Sequence, residues 1–174
     1  MDTFQTIKTM RSVRYFLDQP LPEEVLERIL QAGRWTGSAK NTQPWQFIVV
    51  KNHDTLTELS KCGAYASHLS GAALAVVIVM PVSAAGSFDA GRAAQNMMLA
   101  AWADGVGSCI ASLNDQTCTG NILNLPPNMR ASAAISFGYP QPDAPRMIEG
   151  HPMQEVLASL GRRPLAEIVH WEKW

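Results

Sequence analysis

Helical and strand patterns alternate along the whole chain of 174 residues, which predicts one mixed domain of the α+β or α/β class. Two segments support this most directly. LAVVIVM (74–80) is a continuous apolar run rich in β-branched residues, as expected of a central strand covered on both faces. AGRAAQNMMLAAWAD (90–104) is helical in pattern but apolar around most of its circumference, so it must be buried on more than one side. It lies either at the centre of a monomer or against a partner subunit.

The remaining elements follow in order. DTFQTIKTM (2–10) reads as a short helix with Phe4, Ile7 and Met10 at helical spacing. A second helix opens at Pro22, whose missing N–H costs nothing in a first turn. Glu23 and Glu24 suit the positive end of its dipole, and Val25, Leu26, Ile29 and Leu30 form its apolar stripe before Gly33 and the polar run 36–43. WQFIVV (45–50) reads as a strand and DTLTELSKC (54–62) as a short helix. Asp89 is a candidate N-cap for the apolar helix, with Ala90, Ala93, Ala94, Met97, Met98 and Ala101 on one face and Gly105 as its terminator. GSCIAS (107–112) is a strand or extended loop, DQTCTGNIL (115–123) a helix and SAAISFG (132–138) a strand. A Pro-rich loop runs to about residue 152, a helix is expected at 153–161, and the chain ends in the tail RRPLAEIVHWEKW.

A net charge of −1 offers no overall attraction for nucleic acid or an anionic membrane, so an anion site would have to be built locally. The first residues lack a basic region followed by an apolar run, and the longest apolar stretch (72–82) is too short to span a bilayer. A soluble, cytoplasmic protein is expected. Cys62, Cys109 and Cys118 are odd in number and fit neither CxxC nor zinc spacing, so they read as three small buried or half-buried thiols without a disulfide. The four histidines form no HExxH or HxH pattern, and no metal is expected.

DGVGSCIAS contains G-x-G, but Ile110 stands where the third glycine belongs and the segment follows a helix rather than a strand, so a dinucleotide fold is not indicated. P-loop and GxSxG motifs are absent. Two basic pairs remain. Arg11 and Arg14 flank Ser12, and Arg162 and Arg163 lie near the other end. Arginine forks and a hydroxyl suit phosphate, but each pair alone reads first as a solvated surface cluster. In TGSAKNTQPWQF the small residues Gly37, Ser38 and Ala39 would let a flat ring approach the backbone, or simply form a loop leading into a strand.

Together and in this order, RSVRYF, GSAKNTQPWQFIVV, AAQNMMLAAWADGVGSC, ISFGYP and GRRPLAEIVHW resemble the FMN-dependent nitroreductase family over nearly the whole chain. The resemblance implies an α+β, three-layer fold: a central, mainly antiparallel sheet surrounded by helices. It also implies an intertwined homodimer with FMN at the subunit interface. The whole chain would be one FMN-binding domain, with residues 164–174 as a tail that reaches the partner and adds a sheet strand. By the same resemblance, Arg11, Ser12 and Arg14 would hold the FMN phosphate, ribityl chain and pyrimidine edge, and Arg162 and Arg163 would complete the phosphate site. Gly37, Ser38, Ala39 and Asn41 would pack on the flavin from the other subunit, in a loop left looser by Gly37 where many relatives have proline. Ile110, Ala111 and Ser112 would place backbone near flavin N5.

The implied activity passes electrons from NADH or NADPH to nitroaromatics, quinones or related small conjugated acceptors by a ping-pong mechanism. Arg14 is the expected stabiliser of reduced flavin, and no side chain is expected as acid or base. The alternatives are other flavin chemistry on the same fold (dehalogenation, azoline oxidation, flavin fragmentation) and a non-catalytic flavin binder. Acceptor choice would depend on the segments around 62–69 and 113–121.

Overall fold

A computed structural model describes residues 2–83, 88–142 and 160–174. Four antiparallel strands form one sheet in the order β1-β2-β4-β3: β1 (Gln46–Val50), β2 (Leu74–Pro81), β3 (Gly107–Ala111) and β4 (Met129–Gly138). Among the described residues the α-helices are α1 (Thr3–Thr9), α2 (Glu23–Arg34), α3 (His53–Leu59), α4 (Phe88–Ala103) and α5 (Gln116–Leu123).

β2 explains the layering. Its even-numbered residues Leu74, Val76, Ile78 and Met80 enter one core with Ile29 of α2, Met97 of α4, and Ile135 and Phe137 of β4. Its odd-numbered residues Ala75, Val77 and Val79 enter a second core with Leu56 and Leu59 of α3, Ala111 of β3 and Ala134 of β4. Strand side chains alternate between faces, so an unbroken apolar run is what a strand between two helical layers requires. The result is the expected α+β fold with helices on both faces of an antiparallel sheet.

Local signals account for most boundaries. Asp2, Asn52 and Asp115 cap α1, α3 and α5 by accepting from the backbone N–H three residues on, at 2.8, 2.9 and 2.8 Å. Gly105 (φ 75°) ends α4 in the left-handed region. The predicted inner face of α4 is buried at all six positions, whereas Arg92, Gln95 and Asn96 are exposed and Leu99 is half-buried, so one face of this helix stays open in the single chain. Gly33 lets α2 approach α4: a Cβ there would lie 2.1 Å from Met97 Cε.

Several expectations need revision. Asp89 lies inside the first turn of α4 rather than at its N-cap. On α1 the buried residues are Thr6 and Thr9, while Phe4 and Ile7 point outward, because Thr9 Oγ accepts a hydrogen bond from Trp102 Nε1 of α4 at 2.9 Å and turns its own face inward. β4 begins at Met129 rather than 132, extended by pairing of Ala131, Arg130 and Met129 with Val79, Met80 and Pro81 beyond a register shift. Pro22 sits at the N-cap of α2, one residue earlier than expected. Finally, Cys62 and Cys118 are disulfide-bonded, which overturns the reading as three free thiols. The two residues are 56 apart in sequence; packing of α3 beside α5 brings them together, and no local spacing encodes that. The helix expected at 153–161 lies outside the described residues. The tail 160–174 forms a single 3-10 turn, Leu165–Glu167, and its side chains from 161 onward are exposed.

Candidate functional site

The stretch RSVRYF runs along the outer side of β3 with Val13 and Phe16 buried and Arg14 and Tyr15 exposed. Ser12 bridges Ser108 in parallel, Val13 N donates to Ser108 O at 2.9 Å, and Phe16 bridges Pro140. Val13 and Phe16 point inward onto two facing glycines of the β3–β4 ladder, Gly107 and Gly138. A Cβ on Gly107 would lie 2.8 Å from Val13 Cβ, and one on Gly138 would lie 2.9 Å from the Phe16 ring. The segment is therefore seated by its apolar residues, leaving Ser12 half-buried and Arg14 and Tyr15 exposed.

Arg11 is the exception in being a buried cation, only 7 % exposed. Its Nη1 donates to the carbonyls of Lys8 at 2.8 Å and Met10 at 2.7 Å, which satisfies the C-terminal end of α1. Its Nη2 is buried with no protein partner among the described residues. Burial, and then the charge of Arg162, hold its pKa below the ordinary arginine value. The fold thus brings the first basic cluster and one member of the last within electrostatic reach. Two neighbouring cations, one with a spare buried donor, form a place for an anion. Arg163 is exposed.

A second polar group lies under β3 and escapes sequence reasoning. His68, in the 3-10 turn Ser67–Leu69, is 6 % exposed, and its Nδ1 lies 2.8 Å from Ser136 Oγ. Ser136 Oγ donates its only proton to the Cys109 carbonyl at 3.2 Å, so His68 Nδ1 must carry the proton of that pair. The neutral imidazole then presents Nε2 as an acceptor, and Nε2 is buried without a protein partner among the described residues. Burial first, then the Arg14 cation, lower its pKa to about 4. Burial pushes the Cys109 thiol up, against the opposing pull of Arg14 and of a hydrogen bond with the Ser12 side chain. Ser12, Arg14, His68, Cys109 and Ser136 therefore form one cluster at the β3 edge. "ASHLSG" carries no motif that would have singled out His68.

The other expected contacts are placed as follows. Ile110 is exposed on β3, Ala111 turns into the second core and Ser112 is exposed just beyond the strand. The buried Ala111 side chain offers a ligand no contact. Gly37, Ser38, Ala39 and Asn41 sit at the opposite end of α2, in an exposed loop with Lys40, Asn41 and Gln43 at positive φ. Ser38 Oγ accepts from Gln43 N at 2.8 Å, and Arg92 Nη1 of α4 donates to the Gly37 carbonyl at 2.7 Å. This loop is moored to α4, not to Arg11, Ser12 or Arg14. Among the described residues no cluster of His, Cys, Asp or Glu could hold a metal ion, and no helix is long and apolar enough to cross a membrane.

A model of the nitroreductase family matches residues 7–75 and 83–139, including the Arg11–Arg14 segment, the 37–41 loop and β3. The chain belongs to the nitroreductase family. This nitroreductase-family chain is 31 % identical over 149 residues to a protein of Methanothermobacter thermautotrophicus provisionally described as an NADH dehydrogenase/NAD(P)H nitroreductase, covering 80 % of this chain and 78 % of the relative. Among solved structures, an FMN-dependent nitroreductase of Clostridium difficile superposes with a TM-score of 0.81 at 25 % identity, covering 99 % of this chain and 100 % of the other. A provisionally named nitroreductase of Desulfovibrio desulfuricans, solved in complex with FMN, gives a TM-score of 0.78 at 27 % identity, covering 100 % and 99 %.

Proposed function

We propose that the chain is an FMN-dependent oxidoreductase that passes electrons from NAD(P)H to nitroaromatics, quinones or related conjugated acceptors. The observation that carries this reading is the convergence of Arg11, with its buried and unpartnered Nη2, and Arg162 beside the Ser12–Arg14 edge of β3. That arrangement fits a phosphomonoester followed by a polar ring. FMN held there would supply the two-electron redox chemistry between a nicotinamide and the second substrate.

The protein's own residues bind and tune. Arg11, Arg162 and Arg163 hold the phosphate, with Ser12 adding a hydroxyl. Arg14 lays a cation along the pyrimidine edge, where negative charge grows on reduction. The backbone of Ile110, Ala111 and Ser112 offers polar groups along the free edge of β3. No side chain in this set is assigned as a general acid or base.

A homodimer completes the site. The 37–41 loop approaches the flavin from the second subunit, and residues 164–174 reach across as a tail of the one FMN-binding domain. The surface supports this: Phe4, Ile7, Trp35, Phe88, Trp171 and Trp174 are all exposed in the single chain. The loop's attachment to the outward face of α4 favours the same arrangement. The test is steady-state kinetics with NADH or NADPH and a quinone, together with the absorbance spectrum of the purified protein. Parallel double-reciprocal lines and bound flavin are expected; intersecting lines would reject the shared site, and a colourless protein that takes up no added FMN would reject the reading.

A further inference from the structure

The Cys62–Cys118 bond stands where it can act on the site. Cys62 follows α3, and its carbonyl accepts from Asp115 N at 3.0 Å. The next residue, Gly63, presses on the segment that leaves β3: a Cβ there would lie 2.2 Å from Ser112 O. Asp115 in turn caps α5 by accepting from Cys118 N. Residues 62–63 and 112–118 are thus joined by one backbone hydrogen bond, one close backbone contact and one covalent bond. Ser112 and the two residues before it are the backbone proposed to face the flavin.

Both oxidation states are provided for. The Glu58 carbonyl lies 3.7 Å from Cys62 Sγ, an acceptor in place for the S–H of a reduced Cys62. Cys62 is fully enclosed, whereas Cys118 is half-buried on the first turn of α5, where the helix dipole favours a thiolate. In a reducing compartment a protein disulfide is commonly transient, as a redox-sensing pair would be. Cys109, buried and with its pKa raised, is unsuited to exchange.

We propose that Cys62 and Cys118 are a thiol–disulfide exchange site that clamps the β3 side of the candidate flavin pocket, with Cys118 as the sulphur open to attack. An external dithiol supplies the electrons. Its thiolate attacks Cys118 Sγ, the Sγ–Sγ bond breaks, and Cys62 leaves as a thiolate that takes a proton. The second external thiol then displaces Cys118 from the mixed disulfide. Two electrons and two protons enter the protein, and the external dithiol becomes a disulfide. Loss of the bond leaves 62–69 and 112–123 joined only by non-covalent contacts, so the wall of the pocket is less ordered before a ligand binds.

The effect on flavin rests on the FMN reading; the clamp itself does not. The full chain is incubated with glutathione disulfide or with dithiothreitol, then denatured and alkylated for mass spectrometry. One labelled cysteine is expected in the first sample and three in the second; three labels in both would overturn the proposal. Hydrogen exchange on the folded protein should be faster over 62–69 and 112–123 in the reduced form, and equal rates would also overturn it. FMN titration of the oxidised protein and of the Cys62→Ser/Cys118→Ser variant should show binding weakened roughly tenfold in the variant, the scale of losing the preorganisation of a few side chains. Equal FMN affinity in both would reject the action on the flavin site. Failure of both to bind FMN, with the exchange difference present, would reject the flavin reading and leave the clamp standing.

Discussion

His68 offers a prediction that can be worked through from one hydrogen-bond network. Its imidazole is buried, donates from Nδ1 to Ser136 and faces the Arg14 cation; the Cys109 thiol, the other titratable group in the cluster, stays neutral across the relevant range. In the unfolded chain the ring takes a proton as pH falls through its ordinary value of 6.5, whereas in the folded protein it resists until about 4. Between these values the unfolded state binds more protons, so stability present above 6.5 is lost as pH falls and levels off below about 4. The shift corresponds to about 3 kcal/mol in full, of which about 2 kcal/mol is gone by about pH 5. His68→Asn keeps a donor for Ser136 but does not titrate. Guanidinium unfolding of both proteins, in one redox state and at a series of pH values, isolates the term as a difference curve. Wild type should lose about 2 kcal/mol relative to the variant between neutral pH and about pH 5. Parallel curves would refute the assignment of His68 as a buried neutral ring.

Three further outcomes are expected. Arg162→Ala should weaken FMN binding by about tenfold or more with little effect on unfolding, through loss of a charge-assisted contact of ~1.5–3 kcal/mol; unchanged affinity by flavin fluorescence would remove Arg162 from the site. Arg11→Ala should weaken FMN similarly and also lower the melting temperature, because its Nη1 satisfies the Lys8 and Met10 carbonyls; a variant as stable as wild type would show that this capping contributes nothing. Gly107→Ala, whose Cβ meets the stiff Val13 side chain at 2.8 Å, should cost ~1–3 kcal/mol and lower FMN affinity by displacing the 11–16 segment; normal stability and affinity would mean that the segment yields without loss.

Much of the fold was legible in the linear chain because periodicity and capping act over a few residues. LAVVIVM shows its two covered faces by being apolar at every position, and β2 is indeed enclosed in two cores. Ala90, Ala93, Ala94, Met97, Met98 and Ala101 repeat at helical spacing, and all are buried on α4. Phe4 and Ile7 misled for a related reason: periodicity marks an apolar face but does not say whether a single chain covers it. The site was legible only as separate clusters, and through the family they resemble.

What the sequence by itself determined is therefore local: which segments coil or extend, where they stop, and which residues carry positive charge. The tertiary structure decided what meets what. It set Arg11 near Arg162 across most of the chain, joined Cys62 to Cys118 across 56 residues, and placed His68 against Ser136. It also seated RSVRYF on Gly107 and Gly138, two glycines that mean nothing until β3 and β4 pair and bring them face to face. The physical reason is the same in each case. Helix and strand propensity depend on neighbours a few residues away, whereas buried charge, orphaned donors and thiol pairing depend on distances that only the packing of the sheet between its two helical layers creates.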